Sequence, residues 1–245
     1  MAGTAFEAAA VVVAAGRGIR IGGDVPKQYR RVGGRAVLTR TLAALAAHDA
    51  IVTIQPVIAA DAQDFYEACV ADLPAAARDK LRAPVPGGAT RQLSVRAGLE
   101  ALAGSAPDLV LVHDAARPYV DPPLIDRALA AGRDYGAAVP GLPVTDTIKR
   151  VEIIAPGIGR VVETPARETL RAVQTPQAFA FTLLLDAHRA AGAKGLDGFT
   201  DDGALAEWAG LPVVVFEGDP RNRKITQPSD LLDADRDFSG AAPPR

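Results

Sequence analysis

The sequence predicts an α/β protein, a mostly parallel sheet covered by helices on both faces. Three observations carry this. Short apolar runs rich in β-branched residues alternate with helical patterns, the strand runs are apolar almost throughout rather than every second residue, and turn residues bound each one. A chain of 245 residues with 49% hydrophobic and 23% charged residues is long and apolar enough to bury a sizeable core.

The strand candidates are Val11 to Val13, Ile51 to Ile58, Leu109 to Val112, Ala137 to Val139 and Val213 to Phe216. Between them, Leu38, Leu42 and Leu45 fall on one helical face, as do Val95, Leu99 and Leu102, while Leu183 to Ala191 continues a third helix. Residues Val144 to Glu163 break the rhythm. Two β-rich stretches, Thr147 to Ile154 and Ile158 to Val162, flank Ala155-Pro156-Gly157, and polar residues alternate with Ile and Val. This predicts a protruding hairpin arm with an exposed face, and a two-stranded ribbon of that kind is marginal unless a partner subunit covers it. Residues 1–237 read as one domain. Phe238 to Arg245, with Gly-Ala-Ala-Pro-Pro, reads as a flexible tail with nothing to bury.

Charge and cysteine content exclude several classes. A net charge of −2 gives no support to nucleic-acid binding, so any attraction for phosphate must come from a local cluster of cations. Cys69 stands alone, which rules out an internal disulfide and argues against a thiolate metal site. The early apolar run Ala8 to Ala15 has no Lys or Arg before it and reads as a strand rather than a signal peptide. No stretch approaches the length of a membrane span. The expectation is a soluble cytoplasmic protein.

The strongest chemical signal follows the first strand: Val13-Ala14-Ala15-Gly16-Arg17-Gly18-Ile19-Arg20, then Pro26-Lys27-Gln28. Small residues let backbone amides approach and cradle a polyphosphate, and Arg20 and Lys27 bring positive charge to it. A dinucleotide fingerprint would need a third glycine where Ile21 stands, and a Walker loop would need Gly-Lys where Pro26-Lys27 stands. The plain alternative is a strand-ending turn beside a solvated cationic face.

Four further segments follow in order. Gly87-Gly88 precedes Thr90, Arg91 and Ser94, with Thr90 a candidate helix cap. His113-Asp114-Ala115-Ala116-Arg117-Pro118 closes the Leu109 strand, where Asp114 can face a hard cation or a ligand hydroxyl and His113 reads as a core histidine. Pro143-Val144-Thr145-Asp146-Thr147-Ile148-Lys149 opens the arm, and Arg167 precedes Thr175-Pro176-Gln177 by eight residues. Thr200-Asp201-Asp202 reads either as a site segment or as a helix cap, and Gly218 to Thr226 contains Asp219, Arg221, Arg223 and Lys224.

Together these motifs resemble the cytidylyltransferases that act on sugar-alcohol phosphates, and most closely the 2-C-methyl-D-erythritol 4-phosphate cytidylyltransferase family, from about Ala8 to Asp230. The resemblance implies a Rossmann-like nucleotidyltransferase fold and transfer of the cytidylyl group of CTP, assisted by Mg²⁺. It implies catalytic roles for Arg20 and Lys27, and nucleotide binding by Ala14, Ala15, Gly16, Gly18, Gly88, Arg91, Ser94 and Ala115. Acceptor positioning falls to Arg167, Lys224, Thr147, Thr175, Asp114 and Arg117, with Asp114 also the candidate metal contact. Arg117 either touches the acceptor phosphate or holds its own loop. The resemblance further implies a homodimer joined through the arm. Arg221 and Arg223 depart from the family's pattern, leaving Asp219 as a possible substitute for an acidic contact. The nearest rival is a ribitol 5-phosphate cytidylyltransferase; a second is a subunit that binds nucleotide without turnover. The Ala-Pro-Pro tail is also compatible with a linker to a later pathway enzyme.

Overall fold

The computed structural model describes residues 6–16 and 25–240. In chain order the elements of the first half are β1 (Ala8–Ala14), β2 (Arg31–Val32), β3 (Arg35–Ala36), α1 (Val37–Ala46), β4 (Ile51–Ile58), α2 (Gln63–Ala71), α3 (Ala75–Arg78), β5 (Val85–Pro86), α4 (Arg91–Leu102), β6 (Leu109–Asp114) and α5 (Pro122–Tyr135). The second half adds β7 (Ala137–Pro143), β8 (Arg150–Ala155), β9 (Ile158–Glu163), β10 (Arg171–Val173), β11 (Gln177–Ala180), α6 (Phe181–Ala193), α7 (Asp202–Trp208), β12 (Val214–Glu217) and α8 (Pro228–Ser239).

All five strand candidates become strands of one sheet, β1, β4, β6, β7 and β12. β1 pairs in parallel with β4 on one side and β6 on the other, and β7 pairs in parallel with β12. The halves are joined by β11, antiparallel to both β6 and β7, with β10 continuing along the same edge of β7. The sheet is therefore parallel except for this insertion.

Burial explains why the strands are apolar throughout. In β1, Ala8, Ala10, Val12 and Ala14 pack in a cluster with Leu38, Leu42 and Leu45 of α1 and Leu124 and Ala128 of α5. The alternate residues Ala9 and Val11 pack in a second cluster with Val95, Leu99 and Leu102 of α4 and Leu184 of α6. Both faces are filled, so a polar residue at either parity would be buried without a partner. α5, which the expectations above do not include, starts at Asp121, whose side chain accepts from Leu124 N at 3.1 Å, and stops at Gly136 with φ +77°.

The hairpin arm is present as β8–β9, turning at Pro156-Gly157 with φ +76° at the glycine. Its first strand begins at Arg150 rather than Thr147, because Asp146 to Lys149 stay outside the ladder. Ile153 is 71% exposed and Ile154 and Ile158 are 58% exposed, so the ribbon presents apolar side chains to its surroundings.

The tail boundary needs correcting. α8 runs to Ser239, and Phe238 stacks on Tyr119 at 4.7 Å with the Arg40 guanidinium 3.9 Å from its ring. Phe238 has a ring to bury, and the helix carries it to a partner. Among the described residues no helix is long and apolar enough to cross a membrane.

Candidate active site

The chain leaves β1 for β4 on one side and returns later to place β6 on the other, so the strand order reverses at β1. In open α/β sheets ligands enter the crevice beyond the strand ends at such a reversal. Here that crevice is a pocket of about 880 Å³. Ala14, Ala15 and Gly16 line it from β1, Asp114, Ala115 and Ala116 from β6, and Gly87 to Arg91 with Ser94 from the start of α4, while Lys27 and Lys224 reach in from outside the sheet.

Hydrogen bonds fix each wall. The Gln28 amide donates to Ala14 O at 2.7 Å and Gly16 O at 2.9 Å, tying the end of β1 to the turn that carries Lys27. Lys27 Nζ donates to Ile225 O at 2.9 Å, next to Lys224. Gly18 and Arg20, expected in the same loop, lie outside the described residues. Across the pocket, Thr90 caps α4 by accepting from Leu93 N at 3.2 Å. Ser94 Oγ donates to Thr90 O at 2.9 Å and accepts from Gly88 N at 3.2 Å, so this hydroxyl shapes the loop expected to contribute to nucleotide binding. A Cβ on Gly87 would collide with Ala15, and one on Gly88 with Leu93; only glycine permits so close an approach.

Asp114 is the electrostatic centre. Its carboxylate accepts from Arg91 Nε at 3.2 Å and Lys224 Nζ at 2.7 Å. Burial alone would raise its pKa, but Arg91 and Lys224 outweigh burial and hold the carboxyl well below the usual range, so it is ionised. Arg91 also reaches Asp202 at 2.7 Å, and its own proton is held more tightly for having two carboxylate partners, against the opposing effect of burial. Asp114, Arg91 and Lys224 also line a second cavity of about 350 Å³ with Arg117, Gln174, Thr175 and Asp201. One charged wall thus separates a larger pocket from a smaller one.

Behind that wall lies a closed hydrogen-bond circuit. Asp114 N–H donates to Thr175 Oγ1 at 3.1 Å, and the Thr175 hydroxyl meets His113 Nδ1 at 3.0 Å. His113 Nε2 bonds Arg117 O at 3.1 Å, Arg117 Nη1 donates to Asn222 O at 2.8 Å, and Asn222 Nδ2 donates to Thr175 O at 2.7 Å. Burial pushes the His113 pKa down to about 4, against the opposing pull of the Arg117 carbonyl and Asp114. Unprotonated at neutral pH, its Nε2–H donates and its Nδ1 accepts from Thr175. His113 is a satisfied core histidine. Arg117 holds its loop through Asn222 O while also lining the smaller cavity, and the Thr175 hydroxyl meets backbone and histidine.

Thr147 and Arg167 stand apart from these residues. Neither lines either cavity; Arg167 Nη1 donates to Thr145 O at 2.9 Å at the base of the arm. Asp219 does not reach either cavity. It accepts from Arg221, which also bridges to Asp121 at 3.1 Å, while Arg223 turns to Asp237 of α8. The two unexpected arginines therefore dock this loop on its surroundings. Sequence reasoning missed Gln28, His188 and Asn222 as site-building residues, and left Asp202 undecided. Asp201 takes the cap, accepting from Ala204 N at 3.0 Å, and Asp202 is buried beneath Arg91.

For a divalent cation the donor set is small. No group of three or more His, Cys, Asp or Glu side chains converges among the described residues. Asp114 is the carboxylate common to both cavities. That fits Mg²⁺, which is held by one or two carboxylates together with substrate phosphates and retained waters, and does not fit an all-protein cage.

A sheet reversal bordered by Gly16 and Gly87-Gly88, with cations converging on one buried carboxylate, is the arrangement of the Rossmann-like nucleotidyltransferase fold. Residues 8–238 match the 2-C-methyl-D-erythritol 4-phosphate cytidylyltransferase (IspD) family, and the chain belongs to it. It is 54% identical over 224 residues to a bifunctional enzyme IspD/IspF of Nitrobacter winogradskyi, covering 91% of this chain and 54% of that protein. A bifunctional enzyme IspD/IspF of a Bradyrhizobium species is 52% identical over 94% of this chain and 56% of its own. The chain thus spans about half the length of the curated relatives it matches. Among solved structures, the 2-C-methyl-D-erythritol 4-phosphate cytidylyltransferase of Thermus thermophilus superposes with TM-score 0.71 at 37% identity over 92% of this chain and 96% of that one. A 4-diphosphocytidyl-2C-methyl-D-erythritol synthase from Anaerococcus prevotii gives 0.80 at 29% identity, covering 95% and 96%.

Proposed function

We propose that the chain transfers the cytidylyl group of CTP to 2-C-methyl-D-erythritol 4-phosphate, releasing pyrophosphate and forming 4-diphosphocytidyl-2-C-methyl-D-erythritol in isoprenoid precursor synthesis. One observation carries the reading: two cavities of unequal size meet at a wall made of Asp114, Lys224 and Arg91. The larger suits a nucleotide beside the glycine loop, the smaller a polyol phosphate, and the wall is where an acceptor oxygen would meet the α-phosphorus. The acceptor phosphate is already ionised near neutral pH, so the site needs to juxtapose two anions and offset the added charge rather than remove a proton. Lys27, with Arg20, is assigned to the charge developing on the triphosphate. Lys224 holds the nucleophile side, and Asp114 fixes Lys224. Asp114 would be the protein's carboxylate contact for Mg²⁺ bound with the CTP phosphates, and the ion would supply electrostatic stabilisation of the leaving group.

Thr147 and Arg167 belong to this reading through a homodimer, in which the arm of one subunit brings them to the acceptor cavity of the other. The apolar side chains on β8 and β9 support that arrangement. A cytoplasmic location suits a lone buried cysteine. The test is pyrophosphate release by the purified protein with Mg²⁺ and CTP, with methylerythritol phosphate and ribitol 5-phosphate offered in parallel. Turnover with the first acceptor is expected; preference for the second reassigns the substrate, and CTP binding without turnover on either removes the catalytic assignment.

A further inference from the structure

Asp202 lies outside both cavity linings and is 1% exposed, yet it is tied to their shared wall. Its Oδ2 accepts from Arg91 Nη1 at 2.7 Å and its Oδ1 from His188 Nε2 at 3.1 Å. Arg91 passes on to Asp114 at 3.2 Å, and Asp114 to Lys224 at 2.7 Å. The result is one line of side chains, His188, Asp202, Arg91, Asp114 and Lys224, running from α6 past the starts of α7 and α4 to the end of β6 and Lys224.

Helix capping does not account for Asp202, because Asp201 caps α7. A buried carboxylate is costly unless it is paired and hydrogen-bonded, and this one accepts at one oxygen from Arg91 and at the other from His188, while the backbone N–H of the residue donates to Gln177 Oε1 at 3.1 Å. Burial would raise its pKa, but Arg91 and His188 reverse that and lower it. The planar guanidinium of Arg91 is held at two of its nitrogens by two different carboxylates, which fixes the plane as well as the position of the fork. Without Asp202, Arg91 would have Asp114 alone as carboxylate partner and would compete more directly with Lys224 for it.

We propose that Asp202, backed by His188, is a positioning residue for the transfer reaction, acting through Arg91 to set Asp114 and Lys224 at the wall between the two cavities. This rests on the functional reading above. The test is a double-mutant cycle of Asp202→Asn and Arg91→Gln, reading kcat and KM for CTP by pyrophosphate release. Asp202→Asn alone lowers kcat by roughly 10- to 100-fold, the range seen when outer partners of a site are removed, with a smaller change in KM. In the Arg91→Gln background the same substitution costs less than about 2-fold, because its route to Asp114 is already cut.

Wild-type-like turnover of Asp202→Asn, or losses that simply multiply in the double variant, would overturn the inference. A wild-type chain without turnover would instead overturn the functional reading. Nitrogen-15 spectra add an independent readout: the Arg91 Nε–H signal is slow to exchange in the wild type and is lost in Asp202→Asn, whereas its persistence counts against positioning. If Asp202→Asn does not fold, His188→Leu keeps the ion pairs and removes the outer donor. It then carries the same cycle, with a fall of about 3- to 10-fold that vanishes in Arg91→Gln.

Discussion

Acidification should destabilise this protein in two separate steps, and the first belongs to His113. The folded state keeps its ring unprotonated down to about pH 4, whereas the unfolded chain takes up the proton at the ordinary value of 6.5. Between those values the unfolded state binds more protons, so stability present above pH 6.5 is lost as pH falls toward 4 and then levels off. The gap between those two values corresponds to about 3 kcal/mol in full, and about 2 kcal/mol has gone by pH 5. His113→Gln offers the same donor to Arg117 O and the same acceptor to Thr175 without titrating. Urea unfolding of both proteins at pH 7, 6 and 5 should show the wild type losing about 2 kcal/mol more than the variant. Asp114 and Asp202 enter only later. Their pKa values are depressed, so their contribution is present above the ordinary carboxylate value and is lost below it. Parallel wild-type and variant stabilities from pH 7 to 5 would refute the assignment of His113 as a buried, unprotonated link in the circuit.

Lys27→Ala should lower kcat by about 10²-fold with little loss of stability, as expected for a preorganised charge facing a developing anion; unchanged turnover would remove Lys27 from the chemistry. Gly87→Ala should raise KM for CTP and cost about 1–3 kcal/mol, since the new methyl group must displace Ala15 or Ser94; thermal unfolding and CTP titration read both effects. Replacing Ile153 and Ile154 with Lys should leave the subunit folded but abolish self-association in sedimentation, and a dimer that survives would place its interface elsewhere. Leu111→Ala, in a fully buried position between α1 and α5, should cost about 2–5 kcal/mol in urea unfolding without changing KM.

The parts of the fold legible in the sequence were those governed by local pattern. Val11, Val12 and Leu109 to Val112 are buried on both faces, and an uninterrupted apolar run records that directly. The hairpin was legible because Pro156-Gly157 specifies its own turn. β11 was not: Gln177 to Ala180 is four residues long, follows a proline, and becomes a strand only because β6 and β7 supply edges on both sides. The same division holds in the site. Ala14 to Gly16, Gly88, Arg91, Ser94, Asp114, Lys27 and Lys224 converge on one pocket, each having been carried by a short motif. Thr175, Arg117 and Asn222 form their circuit through contacts between distant segments, and no spacing in the chain encodes which hydroxyl a histidine will meet. Asp202 was ambiguous for a related reason. Two adjacent acids at a helix start look alike in sequence, and only the packing of α7 against Arg91 tells them apart.

The ties that assemble the pocket join segments far apart in the chain. Lys27 grips the carbonyl of Ile225 across 198 positions, and Asp114 grips Lys224 across 110. During synthesis, the first strand and its loop leave the ribosome long before the segment that completes their wall. The growing chain can form β1, β4 and β6 with their helices while the pocket still lacks Lys224. Competence is therefore acquired at the end of folding rather than along the way, and in refolding from urea the recovery of turnover should trail the recovery of helical signal.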